Sequence, residues 1–209
     1  MLKFSLFSLL IFLSVNTFAS SKIYLIRHAA VQIENPGWGN TKTVSIYREQ
    51  YNLNSVQLYD AERVLNKIDN PETIDMVFCS PQLRAVQTAV SLFTDKVKLF
   101  VNKNLMELDF SVIRVPHIRL PVKAWLGISI ISWMTGINQD NKPTYRQRKQ
   151  SLKDYSDEII TYAESHGKSV VVAHGLVNRE LIRILKKKGW KFENRDGLGN
   201  LSVNCLVKQ

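Results

Sequence analysis

The sequence predicts an α/β fold, with a mainly parallel sheet covered on both faces by helices. Three observations carry that expectation. Short β-like apolar runs alternate with longer amphipathic stretches, the pattern of repeated strand-helix-strand units. Two of the runs end in histidine: Ile23-Tyr24-Leu25-Ile26-Arg27-His28 and Ser169-Val170-Val171-Val172-Ala173-His174-Gly175. Between them, Ser80-Pro81-Gln82-Leu83-Arg84 reads as a strand-to-helix junction that carries an arginine. In an open α/β sheet, ligands bind in the crevice beyond the carboxyl ends of parallel strands, so residues far apart in sequence can meet there.

The elements follow in order. Residues 1–19 read as an export signal: Lys3 gives a positive start, Phe4 to Val15 is an apolar run broken only by serines, and Thr17-Phe18-Ala19 offers small residues for cleavage. The run is shorter than a membrane anchor requires. The expected location is therefore exported, periplasmic or secreted, with residues 20–209 as one domain. A strand is expected over 22–27, then a loop through Asn35-Pro36-Gly37-Trp38-Gly39, and helices over 41–51 and 55–68. The second of these must stop before Asn70-Pro71, because proline disfavours helix in the residue before it.

The next strand spans Ile74 to Cys79. Ser80 suits an N-cap and Pro81 the first helical position, which predicts a helix over 81–94 with Arg84 in its first turn. A strand at 97–101 leads to Leu105-Met106-Glu107-Leu108-Asp109, an acidic pair just beyond a strand end. Residues 111–141 fit no plain strand-helix repeat and read as an inserted, cap-like segment. Within it the uncharged run from Ala124 to Ile137, with Trp125 and Trp133, is expected to form a helix packed on the core. The competing expectation for 124–137 is a lid or a membrane-surface contact over the site. A long helix over 142–165 should stop at His166-Gly167. The strand ending at His174, a helix from Gly175 to near Gly189, and a last strand over 200–207 complete the chain.

Removing 19 of 209 residues leaves 190, enough for one ordinary hydrophobic core. Removing Lys3 lowers the net charge from +10 to +9, which favours anionic partners. Lys186-Lys187-Lys188 and Arg146-Gln147-Arg148-Lys149 carry much of that charge as solvated helix faces. No nucleic-acid motif accompanies it, so no nucleic-acid partner is expected. Cys79 and Cys205 fall in apolar runs, where free cysteine behaves as a small hydrophobe; whether they pair is open, and neither is assigned chemistry. The sequon Asn200-Leu201-Ser202 falls in an expected strand.

Two imidazoles and two guanidiniums at one strand edge point to phosphate chemistry. A phosphomonoester needs its equatorial oxygens neutralised and a nucleophile in line with the leaving oxygen. Arg27 and Arg84 meet the first need, with His174 as a further donor. An imidazole with one unprotonated nitrogen meets the second. Arg27 and His28 can face one ligand only if the chain turns at His28, because neighbours on a strand diverge. Glu107 could protonate the leaving oxygen, and no metal or other cofactor is needed.

The stretches Leu25-Ile26-Arg27-His28-Ala29, Ser80-Pro81-Gln82-Leu83-Arg84-Ala85-Val86-Gln87-Thr88-Ala89 and Val172-Ala173-His174-Gly175 resemble the three signatures of the histidine phosphatase superfamily, the phosphoglycerate mutase-like proteins of branch 1. The resemblance implies a three-layer α/β/α sandwich. It implies His28 as the phosphorylated nucleophile, Arg27, Arg84 and His174 as the phosphate pocket, and Glu107 as the acid, with Asp109 as its rival. The family's usual glycine after the first histidine is Ala29 here. The glycine and tryptophan that follow the acid in mutases are absent, and Glu34 stands where mutases have asparagine. With the export signal, these departures argue against a glycolytic mutase. The expectation is an exported, metal-independent phosphomonoesterase acting on a small-molecule or envelope phosphoester, with lipopolysaccharide, lipid or inositol phosphates among the candidates. The alternative from another class is a non-catalytic binder of a phosphorylated envelope component.

Overall fold

The computed structural model describes residues 20–93, 97–107, 110–115, 117–137 and 142–208. The proposed signal at 1–19 and Asp109 lie outside the described residues. In chain order the strands are β1 (Ser21–Arg27), β2 (Trp38–Gly39), β3 (Met76–Cys79), β4 (Lys98–Val101), β5 (Leu120–Pro121), β6 (Lys168–Ala173), β7 (Lys191–Asn194) and β8 (Val203–Lys208). The helices are α1 (Thr41–Leu53), α2 (Ala61–Leu65), α3 (Leu83–Leu92), α4 (Val122–Met134), α5 (Tyr145–His166) and α6 (Gly175–Lys187).

Six strands form one sheet in the order β4-β3-β6-β1-β8-β7. The first four run parallel. β8 is antiparallel to β1, and β7 to β8. The inner strands are apolar on both faces because each face is covered. Ile23, Leu25, Phe78, Val171 and Ala173 pack under α5 and α6. Their alternating neighbours Tyr24, Ile26, Val77, Cys79, Val170 and Val172 pack under α2 and α3. Two cores on opposite sides of one sheet make the expected three layers.

Several boundaries differ from expectation for local reasons. The helix expected over 55–68 is only Ala61–Leu65: Asp60 caps it by accepting from Arg63 N at 3.2 Å, while Val56 pairs as a bridge with Val31. The helix expected from 81 begins at Leu83 with Gln82 as its cap, while the Ser80 hydroxyl accepts from Gln82 N at 3.3 Å and also meets His174 Nε2 at 2.8 Å. The last strand starts at Val203 rather than 200, after a turn in which Leu201 has φ 59°. β7 and the two-stranded ribbon of β2 with β5 carry no clear strand signal. By contrast, α5 ends where expected, at Gly167 in the left-handed region (φ 78°), and a Thr144–Gln147 capping box opens it.

Cys79 and Cys205 are both unpaired and buried. They sit on β3 and β8, which β6 and β1 separate. Three strand spacings amount to about 14 Å, twice the reach of a disulfide.

Within residues 111–141, α4 packs against α1 and seats both tryptophans in the interior. Trp125 is 2% exposed and Trp133 1%. Trp125 Nε1 donates to Gly39 O at 2.9 Å, and Trp133 Nε1 to Pro143 O at 3.1 Å. The outward side of α4 instead carries Ile128 and Ile131. Among the described residues no helix is long and apolar enough to cross a membrane. Trp125→Ala is expected to cost about 3–5 kcal/mol of stability, the usual penalty for emptying a buried aromatic site. An unchanged urea midpoint would show that α4 is not anchored through Trp125.

Candidate active site

The carboxyl ends of β1, β6 and β3 lie side by side, and the expected residues converge beyond them. β1 ends at Arg27, and His28 N still donates to Ala173 O of β6 at 3.0 Å. Ala29 N then donates to Thr88 Oγ1 at 2.9 Å, which turns the chain at the histidine. The His28 imidazole is buried, with Nδ1 2.7 Å from Ala29 O. A carbonyl can only accept, so Nδ1 carries the proton and Nε2 keeps its lone pair. Arg84 Nε donates to that Nε2 at 3.3 Å. Burial lowers the His28 pKa to about 3 from 6.5; the Ala29 carbonyl opposes this, and the charges of Arg84 and Arg27 reinforce it. The ring is neutral at physiological pH.

His174 occupies the cap of α6, its carbonyl accepting from Asn178 N at 2.8 Å. Its Nε2 lies 2.8 Å from Ser80 Oγ, and its Nδ1 3.6 Å from Glu107 Oε2. The two imidazole centroids are 5.0 Å apart. Burial, then the positive field of Arg84, His28 and Arg27, holds the His174 pKa well below its ordinary value.

Both histidines therefore link stability to pH. The unfolded chain protonates them near pH 6.5, whereas the folded protein resists protonation down to about pH 3 for His28. Stability should fall as pH drops from 6.5, by up to about 1.4 kcal/mol per pH unit for each histidine. His28→Asn should remove one of these contributions. Urea midpoints at pH 7, 6, 5 and 4 measure it: a wild-type advantage or deficit that does not change with pH would contradict the linkage.

Arg84 falls at the second residue of α3, in its first turn as expected, and is 2% exposed. Its Nη1 donates to Asn52 Oδ1 at 2.9 Å and its Nη2 to Gln82 Oε1 at 3.2 Å. Its guanidinium carbon sits 5.0 Å from the Tyr51 ring centre. Arg27 Nη1 donates to Leu198 O at 2.6 Å, and its buried Nε has no partner among the described residues. Glu107 follows a short 3-10 turn; its backbone N donates to Gln82 Oε1 at 2.8 Å, and its Oε2 lies 4.0 Å from Arg84 Nη2. All five residues expected at the site thus line one region.

Sequence reading missed the residues that hold these five. Ser80 and Gln82 lie in the stretch that leads to Arg84, where Ser80 reads as a helix cap and Gln82 carries no assigned role. Asn52 and Tyr51, one helix away, and Asn200, whose Nδ2 donates to His28 O at 2.9 Å, carry no local signal. Asn200 lies in the turn before β8 rather than in a strand, with its side chain bonded inward.

A cleft of about 630 Å³ opens over these groups. Among the described residues, four cationic side chains line it, Arg27, Arg48, Arg84 and Lys123, against the carboxylate of Glu107. Ligand atoms of His28, His174 and Glu107 lie within 4.8 Å of one another, the spacing of a metal site. Two guanidiniums at the same point, Arg84 against His28 and Arg27 in the same cleft, favour an anion instead.

The fold matches solved structures at low identity. YhfR of Bacillus stearothermophilus is 15% identical, with a TM-score of 0.54, over 88% of this chain and 89% of that one. Ecdysone phosphate phosphatase from Bombix mori is 14% identical, with a TM-score of 0.53, over 90% and 92%. Phosphoserine phosphatase from Entamoeba histolytica is 16% identical, with a TM-score of 0.51, over 88% and 89%. No curated protein sequence matches the chain. The family profile described as the histidine phosphatase superfamily (branch 1) matches residues 23–209. On that match over nearly the whole sequence, the chain belongs to branch 1 of the histidine phosphatase superfamily.

Proposed function

We propose that the protein is an exported phosphomonoesterase that works through a phosphohistidine on His28. Family membership supports a phosphatase. The observation that carries the finer reading is the state of His28: a buried, neutral imidazole whose Nδ1–H is held by Ala29 O, leaving the Nε2 lone pair at the arginine-lined cleft. A phosphate that enters takes the donors of Arg27 and Arg84 with its equatorial oxygens. Nε2 then attacks phosphorus as the bond to the leaving oxygen breaks. Glu107 gives that oxygen its proton as the bond breaks. Water next attacks the phosphohistidine and returns a proton to Glu107; the P–N bond breaks, freeing neutral His28 and inorganic phosphate. The carbonyl of Ala29 offsets the positive charge that the ring carries while phosphorylated.

Glu107→Gln is expected to lower kcat/KM for alkyl phosphates by about 10²- to 10⁴-fold, the usual worth of a general acid. Nitrophenyl phosphate, whose leaving group needs no proton, should lose far less. Equal losses on both substrates would remove Glu107 from the role and return it to Asp109.

Each step is complete without a metal, so activity should survive chelation. The apolar wall formed by Val122, Leu126, Ile130 and Leu176 supports substrates whose alcohol is partly apolar, lipid phosphates among them. A screen across sugar, inositol, nucleotide and lipid phosphates tests this; indifference to the alcohol would contradict it. Export rests on residues 1–19 and predicts a mature protein beginning near Ser20, readable by N-terminal sequencing of the secreted or periplasmic fraction.

A further inference from the structure

We propose that Gln82 is a positioning residue that ties the proton donor to the phosphate clamp, through one amide oxygen shared by Arg84 and the backbone of Glu107. The inference rests on the phosphohistidine reading given above.

Gln82 occupies the cap position of α3 but makes no side-chain cap bond. Glutamine is not a favoured cap residue either, so its side chain serves something else. Its Oε1 accepts from Arg84 Nη2 at 3.2 Å and from Glu107 N at 2.8 Å. Both partners can only donate, which fixes the oxygen, rather than the NH2, at that point.

Glu107 needs such a tether because no regular element holds it. It follows the 3-10 turn Lys103–Leu105, and a side chain on irregular backbone points where that backbone is fixed. Arg148 of α5 fixes one side, with Nη2 3.1 Å from Met106 O and 3.4 Å from Asn104 O. Gln82 fixes the other and joins it to the guanidinium that grips the phosphate. The donor is thereby set relative to the substrate as well as to the scaffold. Misplacing a reacting group by about 1 Å costs on the order of 10²-fold in rate. Loss of the shared acceptor should therefore damage proton donation more than phosphate binding, since Arg84 keeps its bond to Asn52.

Gln82→Met removes the acceptor at similar length and volume, and Gln82→Glu restores an oxygen to both donors. The experiment measures kcat/KM for a series of phosphomonoesters from nitrophenyl to primary alkyl, in wild type and both variants. Thermal unfolding checks the fold of each. Gln82→Met should lose about 10- to 100-fold on alkyl phosphates but only a few-fold on nitrophenyl phosphate. Gln82→Glu should recover most of the alkyl activity. The added carboxylate should also shift the alkaline limb of the pH profile upward, because a like charge holds the proton on Glu107 more tightly. A uniform loss along the series, or no rescue by Gln82→Glu, would overturn the positioning role while leaving the phosphatase reading intact. A wild type inert towards the whole series would overturn both.

Discussion

His28→Ala is expected to lower kcat/KM by at least about 10⁴-fold on every phosphomonoester, because covalent catalysis loses its nucleophile. Some stability is lost, because the buried ring leaves a void and Arg84 Nε loses its acceptor, but no charge is stranded and the fold should persist. Phosphate binding should survive as well: Arg27, Arg84 and His174 all remain, so vanadate or inorganic phosphate should bind within about tenfold of wild type. That split between lost turnover and kept binding identifies a nucleophile rather than a structural residue. Near-normal hydrolysis by the variant would sink the mechanism outright.

The second large effect belongs to Arg84. Arg84→Met keeps the length of the buried side chain but removes the whole guanidinium, and should cost about 10³-fold in kcat/KM. A single preorganised donor at a developing oxyanion accounts for about 2.7–4 kcal/mol. The variant also strands the acceptors on Asn52 and Gln82, so some loss of stability accompanies the loss of rate. Arg84→Lys separates charge from geometry. Lysine restores the positive charge without the planar fork, and should recover only part of the rate. Full recovery would mean that charge alone suffices and that the bidentate geometry is incidental.

The parts of the molecule that were legible in sequence were those whose cause is local. β1, β3 and β6 announce themselves because central parallel strands are apolar on both faces, and α5 because a capping box and a C-terminal glycine bracket it. His28, His174 and Arg84 were legible because each sits where a strand ends or a helix begins, which the apolar runs around them mark. The obscure parts depend on partners distant in the chain. β2 and β5, two residues each, exist only because Trp38-Gly39 meets Leu120-Pro121. α3 begins at Leu83 rather than 81, and Ser80 meets both the helix start, accepting from Gln82 N at 3.3 Å, and His174, 94 residues away. The apolar run at 124–137 allowed both a buried helix and an exposed surface. Its tryptophans turned inward because Gly39 O and Pro143 O offer their Nε1–H groups partners. The residues that tune the site, Asn52, Gln82 and Asn200, are ordinary polar side chains whose importance appears only once Arg84, Glu107 and His28 stand beside them.

The central claim is a covalent bond between phosphorus and His28. The most direct measurement mixes the protein with a ³²P-labelled aryl phosphate, quenches within milliseconds in alkali, and locates the label by peptide mass spectrometry. The account predicts an acid-labile, alkali-stable phosphoryl group on the peptide that carries His28, formed and lost at rates consistent with turnover. Steady hydrolysis with no label on that peptide, or with the label on another residue, would contradict it.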